Sequence, residues 1–187
     1  KRAFIAYWRN PLYIYTKLML NFVSGLGVGS SFYKEGEKNY YIALQNRLFA
    51  SFMALVSATS LSQHLQPEFI RFRGLFEVRE KPSKMYTWPV MVLSALIVEI
   101  PWNLFGGTTY WLPWYYLIHF PTDNKHAGYS WGLYMLFQIY YCTFAQAMAA
   151  VSPNAMIASI LFSTFFSFVV VFCGVVQPPN QMPYFWR

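Results

Sequence analysis

Long apolar stretches separated by short polar connections make up most of this 187-residue sequence. A helix that crosses a hydrocarbon core of about 30 Å needs about 20 mostly apolar residues. Five stretches meet or nearly meet this length, and we predict membrane-spanning helices at residues 12–32, 48–65, 86–110, 129–151 and 155–176. Their apolar residues are continuous and do not alternate as they do in the strands of a transmembrane barrel. The pattern therefore predicts an all-α, polytopic bundle of membrane helices.

The connection between the second and third predicted spans differs from the others because it is long and highly charged. Residues 67–84 contain eight charged side chains. Phe69, Phe72 and Phe76 recur within it at helical spacing. We therefore predict an amphipathic helix on the inner membrane face, ending near Pro82. A helix that bound only anionic lipid would be basic throughout, so this mixture of acids and bases favours a protein partner.

Composition and charge support a membrane location. Charged residues are 11% of the chain and aromatic residues are 21%, whereas soluble domains have about 25% charged residues. The net charge of +7 comes from basic residues that lie beside the apolar stretches. The cytoplasmic loops of membrane proteins have this distribution, so we do not expect the chain to bind nucleic acid.

The basic residues also predict the orientation, because cytoplasmic loops carry an excess of Lys and Arg. With the N-terminus in the cytoplasm, the inner set is Lys1, Arg2, Arg9, Arg71, Arg73, Arg79, Lys81 and Lys84. The outer set is then Lys34, Lys38, Lys125 and Arg187. We expect Lys17 and Arg47, which lie near span ends, to extend towards their own side of the membrane. Five spans would place the C-terminus outside, and this odd number suggests a fragment of a longer protein.

Glu99 is an acidic residue deep inside the third predicted span. It lies about 18 Å from the start of that span, at 1.5 Å per residue. A carboxyl group at that depth costs several kcal/mol unless it is paired or protonated. Two interpretations stay open, a structural polar lock with neighbouring helices and a proton relay.

The remaining motifs give little support to an enzyme. Gly25 and Gly29 lie in a predicted membrane helix, where their spacing favours close helix packing over nucleotide binding. The three histidines share no metal-ligand spacing, so we expect no metal site. The sequence shows no convergent set of acids, histidines or nucleophiles near one interface, and we predict no catalytic residue in this chain.

Residues 76–88, with the sequence FEVREKPSKMYTW, closely resemble a signature of the G subfamily of ABC transporters. The resemblance is greatest to the second membrane half of the fungal pleiotropic drug resistance exporters. Further similar segments follow in the family's order at residues 7–13, 44–46, 99–103 and 172–176. The resemblance therefore covers the whole chain, residues 1–187.

The resemblance implies a type-2 exporter membrane domain of six helices, with five of them and one inner coupling helix in this sequence. ATP and Mg²⁺ would bind to nucleotide-binding domains outside residues 1–187. Besides the lipid bilayer, the implied partners are an ATP-binding domain, a second membrane half, and hydrophobic small molecules or lipids. The second half would belong to the same chain or to a dimer partner, and the protein would lie in the plasma membrane.

The resemblance also implies candidate site residues. It places a drug cavity between the second and fifth spans, lined by Phe52, Val56, Ser57, Ser60, Ser163, Phe166, Ser167 and Val170. An apolar, aromatic cavity with a few hydroxyl groups suits varied hydrophobic amphiphiles. Contact with the ATP-binding domain would be made by Phe76, Glu77, Arg79 and Glu80. Glu99 would be a polar lock, because a Glu before a Pro recurs at this place in a family that couples transport to ATP.

Two classes of function remain. The favoured one is the substrate-translocation domain of an ATP-driven exporter of hydrophobic or amphipathic compounds, in a full-length protein that hydrolyses ATP. The alternative is a non-transport polytopic membrane protein, such as a lipid-modifying enzyme or a receptor-like bundle. Ordinary helix packing is an alternative role for the serines of the second and fifth spans. A helix lying on the lipid surface is the alternative for residues 67–84.

Overall fold

The computed structural model describes residues 2–37, 40–121, 123–173, 175 and 185. Within these ranges every regular element is helical, and the predicted all-α bundle is confirmed. The α-helices are α1 (Arg2–Trp8), α2 (Pro11–Ser31), α3 (Tyr41–Val56), α4 (Ala58–Leu75), α5 (Trp88–Ile118), α6 (Asn124–Val151) and α7 (Ala155–Phe172). A 3₁₀ turn at Glu35–Glu37 and a π-helical segment at Phe76–Glu80 complete the elements. Lys1, Lys38, Arg187 and residues 174 and 176, which the predictions above include, lie outside the described residues.

Three helical stretches of the described chain are long and apolar enough to cross a membrane: Tyr41–Glu80, Trp88–Ile118 and Ala155–Phe172. α2 and α6 are also long, with 21 and 28 residues, but neither contains 18 consecutive residues as apolar as those of the three stretches. Lys17 and Asn21 are buried in α2, and Gln138 and Gln146 are buried in α6. Membrane passage of these two helices, and with it the number of five spans, stays a prediction.

The second predicted span contains a break that the prediction lacked. α3 ends at Val56, and α4 resumes after Ser57. The Ser57 hydroxyl donates to the carbonyl oxygen of Ala54 at 2.7 Å, and the Thr59 hydroxyl donates to that of Val56 at 2.8 Å. Hydroxyl groups that bond to the helix backbone in this way often bend helices, and these two bonds lie directly at the interruption.

The separate inner helix predicted at residues 67–84 is instead the continuation of this span. α4 passes through Pro67 without interruption, although a proline inside a helix costs about 3 kcal/mol. Tertiary contacts on both sides of the proline offset this cost. Gln66 donates to the carbonyl oxygen of Ala158 at 3.3 Å, and the buried Phe69 packs in a cluster that also contains Ala158.

The π-helical segment Phe76–Glu80 closes this long helical stretch. The amide of Lys81 donates to the carbonyl oxygen of Phe76 at 2.8 Å, which is a π-type hydrogen bond. Helical structure stops here, just before Pro82, because proline has no amide hydrogen with which to continue the ladder. Lys84 then adopts a left-handed backbone conformation, with φ 48°, and turns the chain towards α5.

α5 extends beyond its predicted boundary at residue 110 and ends at Ile118. Trp114, Tyr115 and Ile118 are buried in a core cluster with residues of α3 and α6. The indole nitrogen of Trp114 also donates to the carbonyl oxygen of Ala50 at 3.2 Å. These contacts prolong the helix by about two turns.

Glycines set the contact between α2 and α5. A Cβ atom on Gly25 would lie 2.5 Å from the carbonyl oxygen of Tyr110, and one on Gly29 would lie 2.9 Å from that of Pro113. Because the atoms in the way belong to the backbone, neither position has room for a side chain. Gly27, between the two, faces open space, with nothing within 4 Å. The close packing predicted from the Gly25 and Gly29 spacing is confirmed.

We predict that Gly25→Val destabilises the protein by about 1–3 kcal/mol, the usual cost of overpacking, while Gly27→Val has little effect. Only at position 25 would the added methyl groups push α2 away from the backbone of Tyr110. Thermal unfolding of the detergent-solubilised full-length protein measures both variants, with Gly27→Val as the matched control. Equal unfolding temperatures for the two would contradict the glycine contact.

Candidate functional site

The eight residues predicted to line a cavity do not share one environment. Three are exposed serines, Ser60, Ser163 and Ser167. Two are buried aromatic residues, Phe52 and Phe166. Three are half-buried, Val56, Ser57 and Val170. The set therefore divides into exposed hydroxyl positions and positions that pack partly or wholly inside the bundle.

The core cluster and the two serines of α7 lie on different sides of that helix. The ring of Phe166 lies in the core cluster, 6.1 Å from the ring of Phe162 and 5.8 Å from that of Tyr141. Ser163 and Ser167, one helical turn apart, form an exposed side that we call the serine face of α7. The Ser167 hydroxyl donates to the carbonyl oxygen of Ser163 at 2.8 Å, so this polar group is satisfied without water.

Apart from Phe166, the residues through which α4 and α7 meet were not named by the prediction. Leu65 of α4 shares a core cluster with Phe162 and Phe166 of α7. The fully buried Gln66 donates to the carbonyl oxygen of Ala158 at 3.3 Å. An amide side chain in an apolar span was the signal that could have identified this contact, because such groups commonly bind across helices.

Glu99 is fully buried and is paired with two residues of α2. Lys17 Nζ lies 2.6 Å from Glu99 Oε2, and the Tyr13 hydroxyl donates to Glu99 Oε1 at 2.8 Å. The prediction that Lys17 extends to the membrane surface is wrong, because its side chain is only 6% exposed. Extension would leave the Glu99 carboxylate uncompensated, whereas pairing removes the cost of two isolated charges.

Polar side chains from four helices gather beside this ion pair. A cavity of about 20 Å³ is lined by Lys17 of α2, Ser62 of α4, Asn103 of α5 and Gln138 of α6, among others. This volume is enough for one water molecule. Glu99 therefore lies at a junction where polar groups of four helices converge.

The four predicted coupling residues point in two directions. Phe76 is buried and packs on Tyr86, with ring centroids 5.2 Å apart. Glu80 accepts a hydrogen bond from the Tyr86 hydroxyl. Glu77 and Arg79 are exposed. The π-helical segment is thus held to the entry of α5 on one side and presents two charged side chains on the other.

Arg73, one turn before this segment, connects α4 to the end of α6. Its Nη1 donates to the carbonyl oxygens of Ala149 and Ala150, both at 3.0 Å, and its Nη2 donates to that of Pro153 at 3.3 Å. A positive charge at a helix C-terminus is favourable because the last carbonyl groups lack helical partners. Arg73 Nε also lies 3.8 Å from Glu77 Oε1. Sequence reasoning missed this contact, since no local pattern links positions so far apart.

α1 attaches to the bundle through Tyr7, at the same end as the Phe72 turn of α4. The buried ring of Tyr7 stacks on Phe72 with centroids 5.3 Å apart and meets Tyr13 edge-on at 5.6 Å. Burial raises the pKa of the Tyr7 phenol above its ordinary value, and the negative charge of Glu99 raises it further. The phenol therefore stays neutral at physiological pH.

A metal centre needs several ligating side chains close together. No group of three or more His, Cys, Asp or Glu residues within the described ranges could hold a metal ion. The polar junction around Glu99, the Arg73 contacts and the serine face of α7 are the features that combine polar chemistry with a defined position in the bundle.

The whole chain, residues 1–187, matches the ABC-2 type transporter family. It belongs to that family. The resemblance to the membrane half of fungal drug resistance exporters is thereby confirmed, and the alternative of a lipid-modifying enzyme or receptor-like bundle is not favoured. As an ABC-2 transporter membrane domain, the chain is an integral membrane protein, in agreement with its long apolar helices.

Fungal proteins are similar to this ABC-2 domain along its whole length. It is 48% identical over 190 residues to the Brefeldin A resistance protein of Schizosaccharomyces pombe, covering 100% of the chain and 12% of that protein. It is 40% identical over 191 residues to the ABC multidrug transporter MDR1 of Trichophyton interdigitale, covering 100% and 12% respectively. It is 38% identical over 192 residues to the ABC multidrug transporter AFR2 of Cryptococcus neoformans var. grubii, covering 99% and 12%. The chain thus spans about 12% of the length of these relatives.

We predict that Glu99→Gln and Lys17→Met each destabilise the protein by about 3–5 kcal/mol, the usual cost of removing one partner of a buried pair. The double variant should lose less than the sum of the two, because it leaves no unpaired charge. Thermal unfolding of the four full-length proteins in detergent gives the coupling energy. Additive losses would contradict a direct ion pair, and a Glu99→Gln variant that is stable but inactive would favour the proton relay.

Proposed function

We propose that this chain is the substrate-translocation domain of an ATP-driven exporter of hydrophobic or amphipathic compounds. Membership in the ABC-2 family supports this, together with relatives whose names refer to multidrug transport and Brefeldin A resistance. In the full-length protein, nucleotide-binding domains would bind ATP and Mg²⁺, and a second membrane half would complete the transport path. The protein would lie in the plasma membrane, with its N-terminus in the cytoplasm.

The observation that carries the proposal is the attachment of the inner end of α4 to two other helices. Phe76 and Glu80 contact Tyr86 at the entry of α5, and Arg73 binds the last carbonyl groups of α6. Glu77 and Arg79 remain exposed beside these contacts. A segment that joins two helices and also presents charges is suited to receive contact from an ATP-binding domain.

Movement of that domain would reach α7 through Arg73. Residues 152–154 join α6 to α7, so a displacement of Arg73 acts on the turn from which α7 begins. α7 carries Ser163 and Ser167, which would then shift relative to the other membrane half. Transport needs such an element with two arrangements, and π-helical segments are frequent at functional positions of this kind.

The exposed hydroxyl positions support a substrate path between this domain and a second membrane half. A face that is exposed in one half becomes part of the wall when two halves enclose a cavity. Ser60, Ser163 and Ser167 would provide the hydroxyl groups of that wall. The buried rings of Phe52 and Phe166 would support it from behind, and Val56, Ser57 and Val170 would form its half-buried margin.

We predict that Ser167→Phe changes resistance to individual bulky compounds by about tenfold, the scale of steric discrimination in apolar pockets, without lowering protein level. The added ring would occupy cavity volume and introduce no charge. Drug susceptibility of cells that express the full-length protein measures this effect. Val169→Phe is the matched control, because Val169 is exposed on a different side of α7; identical resistance profiles for the two variants would argue for helix packing alone.

We also predict that Arg73→Gln separates ATP hydrolysis from transport. The variant loses charge-assisted hydrogen bonds to Ala149, Ala150 and Pro153, and bonds of this kind contribute about 1.5–3 kcal/mol each. Efflux per ATP hydrolysed should fall about tenfold or more, with Arg73→Lys partly restoring it. Both rates are measured on the full-length protein in proteoliposomes.

Arg71→Gln is the control for this experiment. Arg71 lies on the same helix but is exposed and pairs with Glu68 of its own helix at 2.5 Å. Its replacement should leave the ratio of efflux to hydrolysis unchanged. A proportional loss of both activities in Arg73→Gln would mean that the contact only stabilises the fold.

A further inference from the structure

A cavity of about 540 Å³ lies at the inner end of the bundle, away from α6 and α7. It is open on one side and is lined by residues of α1, the end of α4, the π-helical segment and the first two turns of α5. Its volume is in the range of about 300–1,000 Å³ that is typical of small-molecule sites. This cavity is distinct from the serine face of α7, which lies on another helix.

The walls of this cavity are apolar and aromatic, with a single charged group among the described lining residues. The stacked rings of Tyr7 and Phe72 form one wall, and Leu75 and Val90 lie at its exposed margin. The charged group is Glu80, which accepts a hydrogen bond through Oε2 from the hydroxyl of Tyr86. Tyr86 therefore orients the carboxylate beside an aromatic surface.

This combination determines the charge of the ligand. The Glu80 carboxylate attracts an organic cation through its negative charge, and the aromatic and aliphatic wall suits an apolar body attached to that charge. The same carboxylate repels the phosphate of an anionic lipid. The cavity therefore suits a hydrophobic molecule with a positive charge.

The position of the cavity matches the way in which such molecules lie in a membrane. Glu80 binds the hydroxyl of Tyr86, two residues before the exposed Trp88, and tryptophan is enriched at membrane–water interfaces. Ser94 and Ala95 lie about 10 Å further along α5, at 1.5 Å per residue. The charged end of an amphiphilic cation would thus lie near the interface while its apolar body extends towards the membrane interior.

We propose that this cavity, bounded by Tyr7, Phe72, Glu80 and Val90, binds amphiphilic organic cations that arrive from the inner leaflet. A role of the cavity as an entry site rests on the proposed export function, because only an exporter would pass the cation onwards. Binding itself does not depend on that function. It requires only the aromatic wall and the carboxylate.

Equilibrium binding of two probes of the same shape and opposite charge tests the proposal. Tetraphenylphosphonium and tetraphenylborate are each titrated onto the full-length protein in phosphatidylcholine nanodiscs, without nucleotide. Glu80→Gln should weaken saturable phosphonium binding about tenfold, as expected for loss of one charged contact, and should not weaken borate binding. Val90→Trp should remove the same phosphonium component by filling the cavity.

Leu93→Trp is the matched control, because Leu93 is exposed on α5 but does not line the cavity. It should leave phosphonium binding as in the wild type, and unfolding temperatures show that each variant is folded. Unchanged phosphonium binding in Glu80→Gln or in Val90→Trp would overturn the proposal. Since the assay involves neither ATP nor transport, its failure is distinct from failure of the export function, which drug susceptibility of expressing cells tests separately.

Discussion

A lysine and a glutamate lie 2.6 Å apart inside this bundle, and neither could remain charged there without the other. Because Lys17 belongs to α2 and Glu99 to α5, the pair permits only one register between these helices. A shift by one turn would separate the charges. It would also remove one of the two glycines, Gly25 and Gly29, from its place against the α5 backbone, where there is no room for a side chain. Electrostatics and packing therefore select the same arrangement.

The all-helical architecture could be predicted because it depends on local composition. Apolar runs of about 20 residues have few other solutions in a bilayer, and Gly25 and Gly29 showed in advance where helices approach. The predicted boundary between the second span and a separate inner helix, placed at Pro67, is wrong because it relied on the local tendency of proline to interrupt a helix. Burial of Gln66 and Phe69 against distant helices outweighs that propensity, and a single sequence does not reveal such contacts.

In the candidate sites, too, local sequence predicted less wherever distant contacts decide the position of a side chain. The resemblance named Phe166 and Ser167 together, but it could not tell that Phe166 turns inward while Ser167 remains exposed. The position of Lys17 was predicted wrongly because a lysine near a span end can either extend to the membrane surface or pair with a buried acid. Only the presence of a partner such as Glu99 decides between these two arrangements. Arg73 was missed because its acceptors are backbone carbonyl groups, which exist at every residue and leave no mark in the pattern of side chains.

The uninterrupted course of α4 through Pro67 has a mechanical consequence. The helix contains 18 residues, so it is a continuous rod about 27 Å long. Regular α-helical hydrogen bonding changes at both of its ends, at the interruption at Ser57 and at the π-helical segment that begins with Phe76. Under the proposed coupling, this helix moves as a unit between its two interruptions, so a small tilt at its Phe76 end becomes a lateral shift at Ser60, 17 residues before the exposed Glu77.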